Sequence, residues 1–102
     1  MSEIRGEVVC IATFVAEEGK ENELHNALYV LIEPTRKEGG CLRYELHQNL
    51  EDFNEFTVVE KFKDMDAFYF HGNQPYLENF KSIVPVLAAS IDVNVYKELT
   101  IL

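Results

Sequence analysis

A short apolar run, VVCIATFVA at residues 8–16, constrains the fold of this chain more than any other segment. It is rich in β-branched and aromatic residues and is bounded by Glu7 and Glu17, which predicts a β-strand. Both alternating sets of its side chains are apolar, so the strand needs a cover on each of its two faces. We expect the chain's own helices to cover one face and a second copy of the chain to cover the other.

Helical periodicity marks three further segments. Residues 20–37 place leucines along one stripe, and Gly39-Gly40 follows as a helix stop that tolerates positive φ. Residues 63–72 repeat apolar side chains at every third position, and Pro75 suits the first turn of the next helix. The pattern therefore predicts one long helix, and later a short helix followed directly by another.

Three more segments have the composition of strands. Residues 41–48 and 55–62 alternate and are separated by a turn cluster, which predicts a hairpin, and residues 90–98 form the last strand. The resulting order is β-α-β-β-α-β, which is the order of the ferredoxin-like plait. We therefore predict a single α+β domain over residues 1–102, with helices on one face of a four-stranded antiparallel sheet.

Composition argues against several classes of partner. A net charge of −9 disfavours nucleic acid and anionic membranes, which need clustered Lys and Arg. The longest apolar run is far shorter than the roughly 20 residues of a spanning helix. The sequence contains no cluster of Cys and His residues with the spacing of a metal site. Because no signal peptide is recognisable, we expect a cytoplasmic protein with Cys10 and Cys41 reduced, the alternative being a disulfide between them.

His71 is the first candidate for a general base. It ends the apolar ridge of the predicted short helix, where it would lie over the sheet. An unperturbed imidazole ionises at about pH 6.5, so it can accept a proton near neutral pH. The alternative is a helix-terminal histidine that is hydrogen-bonded to a backbone carbonyl.

Glu60 is a second candidate because it interrupts an apolar strand face that Phe56, Val58 and Phe62 form. A carboxylate in such a row must be paired, protonated or functional. Pairing with Arg43 or Lys61 would give it a structural role, and the alternative is a role in catalysis.

Tyr44, His47 and Tyr76 complete the set of polar candidates. Strand alternation puts Tyr44 and His47 on opposite faces, so only one of them can line a pocket between sheet and helices. We favour Tyr44 for the pocket, which leaves His47 at a dimer interface or in solvent. Tyr76 either donates a hydrogen bond to a substrate oxygen or is simply packed beside Pro75.

The order and spacing of several short segments resemble the antibiotic biosynthesis monooxygenase family over nearly the whole chain. The matching segments are Gly19-Lys20, Pro34-Thr35-Arg36, Gly40-Cys41-Leu42-Arg43-Tyr44, Leu46-His47-Gln48, Val59-Glu60-Lys61-Phe62, Ala67-Phe68, His71, Pro75-Tyr76 and Phe80. The resemblance implies a dimeric α+β barrel of two ferredoxin-like sheets, with a pocket between sheet and helices in each subunit.

The resemblance also implies a choice of activities. Members of the family oxidise quinols or polyaromatic phenols with O2 and no cofactor, degrade haem, or isomerise a phosphorylated sugar derived from autoinducer-2. The Asn, Trp and His of the haem degraders align with Ala12, His71 and Lys81, which disfavours haem degradation. The run from Lys63 to Pro75 is also similar to the autoinducer-2 isomerase.

The expected function is therefore a cofactor-independent monooxygenase that acts on a small quinol or phenol with O2, in a homodimer or a higher oligomer. The alternatives are an isomerase of a small phosphorylated carbonyl compound, with Arg43 or Lys81 holding the phosphate, and a non-catalytic dimeric binding module. The expected catalytic residues are His71, Tyr44 and Glu60, and the expected substrate-binding residues are Tyr76, Phe62, His47 and Phe80.

Overall fold

The computed structural model describes residues 6–100, which form four strands and four helices. In chain order these are β1 (Val8–Ala16), α1 (Glu21–Tyr29), α2 (Ile32–Arg36), β2 (Cys41–Gln48), β3 (Glu55–Phe62), α3 (Met65–Gly72), α4 (Pro75–Leu87) and β4 (Ala88–Lys97). None of the helices within this range is long and apolar enough to cross a bilayer.

The strands form one antiparallel sheet in the order β2-β3-β1-β4, which confirms the predicted ferredoxin-like fold. Alternate side chains of β1, from Val8 to Ala16, are buried. Those of Ala12 and Phe14 belong to a core that α1 and α4 close with Leu24, Leu28 and Val84. The helices therefore cover one face of the sheet, as the pattern of β1 predicts.

The opposite face has an apolar centre and polar edges. On β1 and β3 it carries half-buried side chains such as Val9, Ile11 and Val59. On the outer strands it carries polar residues, among them Glu45 on β2 and Asp92 on β4. The expectation of an apolar second face is thus correct for β1, whereas β3 adds only Val59 to the apolar patch and the two edge strands are polar.

The helix predicted over residues 20–37 is two helices, α1 and α2, joined by a turn at Val30 and Leu31. Pro34 explains the break, because it has no N–H to donate to the carbonyl of Val30 and its ring would clash with that carbonyl. The break lets the buried Leu31 reach the core from the turn between the two helices.

The last strand begins earlier than predicted, at Ala88 rather than Ser90, directly after α4. Ala88 is already extended and pairs with Ala16 of β1, next to an irregularity in the register. Both alanines are buried. Small side chains at this point allow helix α4 to turn into β4 without an intervening loop.

Candidate functional site

A cavity of about 590 Å³ lies between the covered face of the sheet and the helices. Cys10 and Ala12 of β1 form part of its floor, and their small side chains leave room above the centre of the sheet. Phe80 of α4 lines it from the helix side and packs edge-on against Phe14, with ring centroids 5.6 Å apart. The walls are mainly apolar, with a few polar groups at one end.

His71 lies in the last turn of α3 and lines this cavity. Asp64 begins the helix, since its carboxylate accepts a hydrogen bond from the N–H of Ala67 at 2.8 Å. The eight-residue helix then carries the imidazole over the sheet, where it is buried. The rings of Phe62 and Tyr44 pack against it, with centroids 5.0 and 5.7 Å away.

Glu38, a residue absent from the sequence-based candidates, holds this histidine in place. It lies in the turn between α2 and β2, and its side chain is only 4% exposed. Its Oε2 lies 2.9 Å from Nδ1 of His71 and accepts a second hydrogen bond from the Tyr76 hydroxyl. A carboxylate can only accept, so Nδ1 carries a hydrogen and Nε2 points away from Glu38.

Glu60 lies on the other side of the imidazole, with its Oε1 3.6 Å from Nε2 of His71. It is buried and lines the cavity. Burial, together with the negative charge of Glu38, raises the pKa of Glu60 to about 8. Glu60 is therefore mainly protonated at neutral pH and can donate as well as accept.

The predicted pairing of Glu60 with Arg43 or Lys61 is wrong. Lys61 instead binds Glu7 and Glu98, each at 2.8 Å, and Arg43 binds Glu45 at 3.0 Å. Arg43 and Lys61 are cross-strand partners on the sheet face that carries no helices. Adjacent residues of a strand project from opposite faces, so neither cation can reach Glu60.

Tyr44 lies in the cavity, whereas His47 does not. The Tyr44 side chain is buried beside His71, and burial together with the Glu60 charge raises its pKa. The His47 side chain is 54% exposed on the opposite face, with Nε2 3.2 Å from Glu45. The expectation that only one of the pair faces the pocket is correct, and His47, expected to bind substrate, does not line the cavity.

Two other expected substrate-binding residues lie behind the cavity wall. Phe62 is fully buried and supports the His71 ring rather than lining the cavity. Tyr76 donates its hydroxyl hydrogen bond to Glu38, and burial followed by this bond raises its pKa. Both side chains contact the Glu38–His71 pair. Phe80 alone of the four expected substrate-binding residues lines the cavity.

Glu38, His71 and Glu60 together form a buried chain of three titratable groups, which we call the proton chain. Glu38 orients the imidazole, and His71 and Glu60 meet at the cavity wall. A hydroxyl placed beside them would find a proton acceptor and a proton donor in an apolar environment. The arrangement suits acid–base chemistry on a small, largely apolar molecule.

Nothing in the sequence singles out Glu38. It is one of eighteen acidic residues and follows Arg36 and Lys37 in a polar turn. Its role depends on the packing of that turn against α3, which brings together residues that are far apart along the chain. Only the tertiary structure reveals the contact.

Comparison with known proteins assigns the chain to a family. The family described as "Antibiotic biosynthesis monooxygenase" matches residues 7–82. The Mycobacterium tuberculosis protein named "Putative monooxygenase Rv0793" is 30% identical over 77 residues, which are 76% of this chain and 75% of that protein. An uncharacterised Synechocystis protein, sll1783, is 26% identical over 88% of this chain, but the match spans only 62% of its own length.

Solved structures agree with this assignment. Protein SO0527 from Shewanella oneidensis superposes with a TM-score of 0.87 at 38% identity, and the match covers 93% of each chain. The structure of Rv0793 also gives a TM-score of 0.87, at 28% identity, over 91% of this chain and 95% of that one. From the family match, these relatives and the shared fold, we conclude that the chain belongs to the antibiotic biosynthesis monooxygenase family.

Proposed function

We propose that this protein is a monooxygenase that oxidises a small quinol or phenol with O2 and without a bound cofactor. The observation that carries the proposal is the proton chain at the wall of an apolar cavity. Ionised quinols react readily with oxygen, so the protein's main task is to take one hydroxyl proton and to hold the resulting anion away from water. The family membership supports the same class of reaction.

The reaction balances without an added reductant. A quinol and O2 give a hydroxyquinone and water, because the substrate supplies all four electrons that reduce O2, two for the oxygen atom that enters the ring and two for the atom that becomes water. One oxygen atom enters the ring as a new C–O bond and the other leaves as water. The two hydroxyl protons and the ring C–H account for the hydrogens of the hydroxyquinone and of water.

In this scheme Nε2 of His71 accepts the first hydroxyl proton. The Glu38 carboxylate, 2.9 Å from Nδ1, stabilises the imidazolium that forms. Glu60, which is mainly protonated, donates a hydrogen bond to the developing oxyanion. Phe80, Ala12 and the other apolar side chains of the cavity limit the access of water.

Isotope labelling tests the proposal. We expect the purified protein to consume O2 with naphthoquinol or a hydroquinone, above the rate without protein, and to release hydroxyquinone. With heavy-isotope O2, mass spectrometry should find one labelled atom in each product molecule. Oxygen uptake that ends in unhydroxylated quinone and peroxide, or no uptake above background for any quinol, would contradict the proposal.

An isomerase remains the second candidate, because one basic residue lies at the cavity. Lys81 lines it, with Nζ 2.8 Å from the carbonyl oxygen of Gly72. Arg43, the other expected phosphate ligand, lies on the opposite face of the sheet. An isomerase or lyase would turn over a phosphorylated carbonyl substrate under strict anaerobiosis, whereas the proposed monooxygenase would not react without O2. A non-catalytic binding module would give no turnover in either assay.

We also propose that the protein is a homodimer in which the helix-free faces of two sheets pack together. Val9, Ile11 and Val59 form an apolar, half-buried patch at the centre of that face, and a second copy would complete their burial. Sedimentation at micromolar concentration should give twice the chain mass or a higher multiple. Val59→Lys should shift the protein towards the monomer, and Val30→Lys, on the helical side, should leave the mass unchanged.

We further propose that the protein acts in the cytoplasm. Cys10 and Cys41 are both free thiols in the structure, as is usual in a reducing compartment. Cys10 is buried, and burial followed by the Glu60 charge raises its pKa to about 12, so it is a poor nucleophile at neutral pH. Fractionation of cells that express a tagged chain would test this location.

A further inference from the structure

Strand β4 leaves a row of apolar side chains uncovered on the side of the sheet that carries the helices. Ile91, Val93 and Val95 are 45%, 53% and 44% exposed. We call these three residues the β4 shelf. Alternate strand residues share a face, so the three side chains stand side by side along the edge of the sheet.

The strand register shows which face the shelf occupies. Val93 pairs with Ala12 of β1, and Val95 pairs with Cys10. Ala12 and Cys10 form part of the cavity floor, and paired residues of antiparallel strands project from the same face. Ile91 and Val93 themselves line the cavity. The shelf is therefore the outward continuation of the cavity floor.

The path of α4 explains why the shelf is uncovered. Helix α4 ends at Leu87 and the chain turns at once into β4, so only the first residue of the strand, Ala88, lies under the core. The other residues of β4 from 89 to 97 are exposed. Within residues 6–100, none of the helices buries the shelf.

The distance between the shelf and the proton chain sets the size of a ligand that uses both. Glu60 of β3 pairs with Cys10 of β1, which pairs with Val95 of β4, so the three residues form one row across the sheet. Two strand spacings separate the ends of that row, or about 10 Å. A ligand with its hydroxyl at Glu60 must extend over this distance before it covers the shelf.

We propose that the β4 shelf binds an uncharged hydrocarbon tail, alkyl or prenyl, on the phenolic or quinol substrate whose hydroxyl lies at His71 and Glu60. This inference rests on the proposed function for the head of the ligand. The three shelf side chains are branched and apolar, which suits a neutral tail rather than a phosphate or a carboxylate. The proposed dimer uses the other face of the sheet and leaves the shelf free for a ligand.

Binding of inert phenols tests the tail site without any turnover. Calorimetry with para-methylphenol, para-butylphenol and para-hexylphenol should show affinity rising with chain length, by up to about fourfold for each methylene that is buried. Equal affinity for all three phenols would overturn the proposal. The measurement uses the intact protein and needs no oxygen.

A matched pair of variants locates the effect. Val93→Thr keeps the size and β-branching of the side chain but adds a hydroxyl to the shelf, and Val30→Thr makes the same change in the exposed turn between α1 and α2. The quantity compared is the increase in affinity from para-methylphenol to para-hexylphenol. We expect Val93→Thr to reduce this increase several-fold and Val30→Thr to leave it unchanged. An unchanged gain in both variants would overturn the proposal.

Two further outcomes separate the shelf from the proposed function. If the chain-length gain appears but no quinol is oxidised, the tail site is supported and the monooxygenase proposal fails. If neither the rate of quinol oxidation nor the affinity for phenols depends on tail length, the monooxygenase proposal is supported and the tail site is contradicted. A change of sedimented mass in Val93→Thr would show that a second copy covers the shelf and would also overturn the inference.

Discussion

Two histidine–carboxylate pairs lie on opposite faces of the same sheet, and their contrast explains where chemistry can occur. On the helix side His71 lies 2.9 Å from Glu38, and on the other side His47 lies 3.2 Å from Glu45. The distances are similar, but the first pair is about 5% exposed and the second is 54% and 35% exposed. Water screens the outer pair and leaves its charges weakly coupled, whereas the inner pair interacts strongly and lies beside a cavity.

The neighbours of the two pairs sharpen this contrast. Hydrogen bonds from Arg43 and then His47 lower the pKa of Glu45, which stays ionised in solvent. Burial and the Glu38 charge raise the pKa of Glu60 to about 8 instead. The same residue type thus becomes a permanent anion on one face and a proton donor on the other. Four comparisons test this difference, from the largest expected effect to the smallest.

The largest effect should come from removing each histidine in turn. We expect His71→Ala to lower kcat/KM for quinol oxidation by about 10²- to 10⁴-fold, the usual contribution of a general base. His47→Ala, measured in the same oxygen electrode, should stay within about twofold of the parent. A loss of less than about tenfold in His71→Ala, or about 1.4 kcal/mol, would remove His71 as the base.

The second comparison uses the opposite pKa shifts of Glu60 and Glu45. Native Glu60 keeps a proton that the unfolded chain releases above pH 4.5, so its contribution to stability is lost as pH rises towards about 8. Relative to Glu60→Gln, the parent's unfolding free energy should fall by up to about 1.4 kcal/mol per pH unit over that window.

Urea titrations across this pH range provide the measurement, with Glu45→Gln as the control. The lowered pKa of Glu45 predicts the opposite sign: its contribution is present at neutral pH and is lost as pH falls through its folded value. Because Glu45 is exposed, we expect that effect to be small. A difference between the parent and Glu60→Gln that did not change with pH would show that Glu60 is ionised in the native protein.

The third comparison tests Glu38 as a positioning residue. Glu38→Gln keeps the shape of the side chain but removes the charge that stabilises the imidazolium, and we expect kcat to fall about tenfold with little change in KM. The pH dependence of kcat should shift as well, which a purely structural role would not cause. Glu45→Gln should alter neither quantity. A rise in KM of about tenfold with an unchanged kcat would instead assign Glu38 to substrate binding.

The smallest effect should come from Tyr76. Tyr76→Phe removes the hydroxyl that donates to Glu38 and leaves the ring in place. We expect the unfolding free energy to fall by about 1–2 kcal/mol and activity to fall only a few-fold. Tyr29→Phe, at an exposed position, is the matched control. A loss of activity as large as that of His71→Ala would instead indicate that Tyr76 contacts the substrate.

The fold could be predicted from the sequence because local patterns determine most of it. Strand β1 is recognisable because both of its alternating sets of side chains are apolar. In β2 and β3 the alternation of side chains identifies the strands and their two faces. Alternation also singles out Glu60 and separates Tyr44 from His47. The break between α1 and α2 follows from Pro34, whose missing N–H interrupts the helix predicted over residues 20–37.

The site could be predicted only in part, because its key contact joins distant residues. Glu38 meets His71 through the packing of a turn against α3, for which no spacing or motif gives a signal. The expected partners of Glu60 were wrong, although the alternation of β3 already places Lys61 on the other face. Burial decides the properties of these groups, and a single sequence reports burial only for regular, periodic elements.

The most direct test of the central claim, that His71 ionises a bound phenolic hydroxyl, is an anaerobic absorption spectrum. Naphthoquinol bound to the parent protein without O2 should show the band of its anion near neutral pH, because the imidazole holds the proton. The band should persist in His47→Ala and disappear in His71→Ala with binding retained. A bound quinol that stays neutral in the parent, or an anion band unchanged in His71→Ala, would contradict the account.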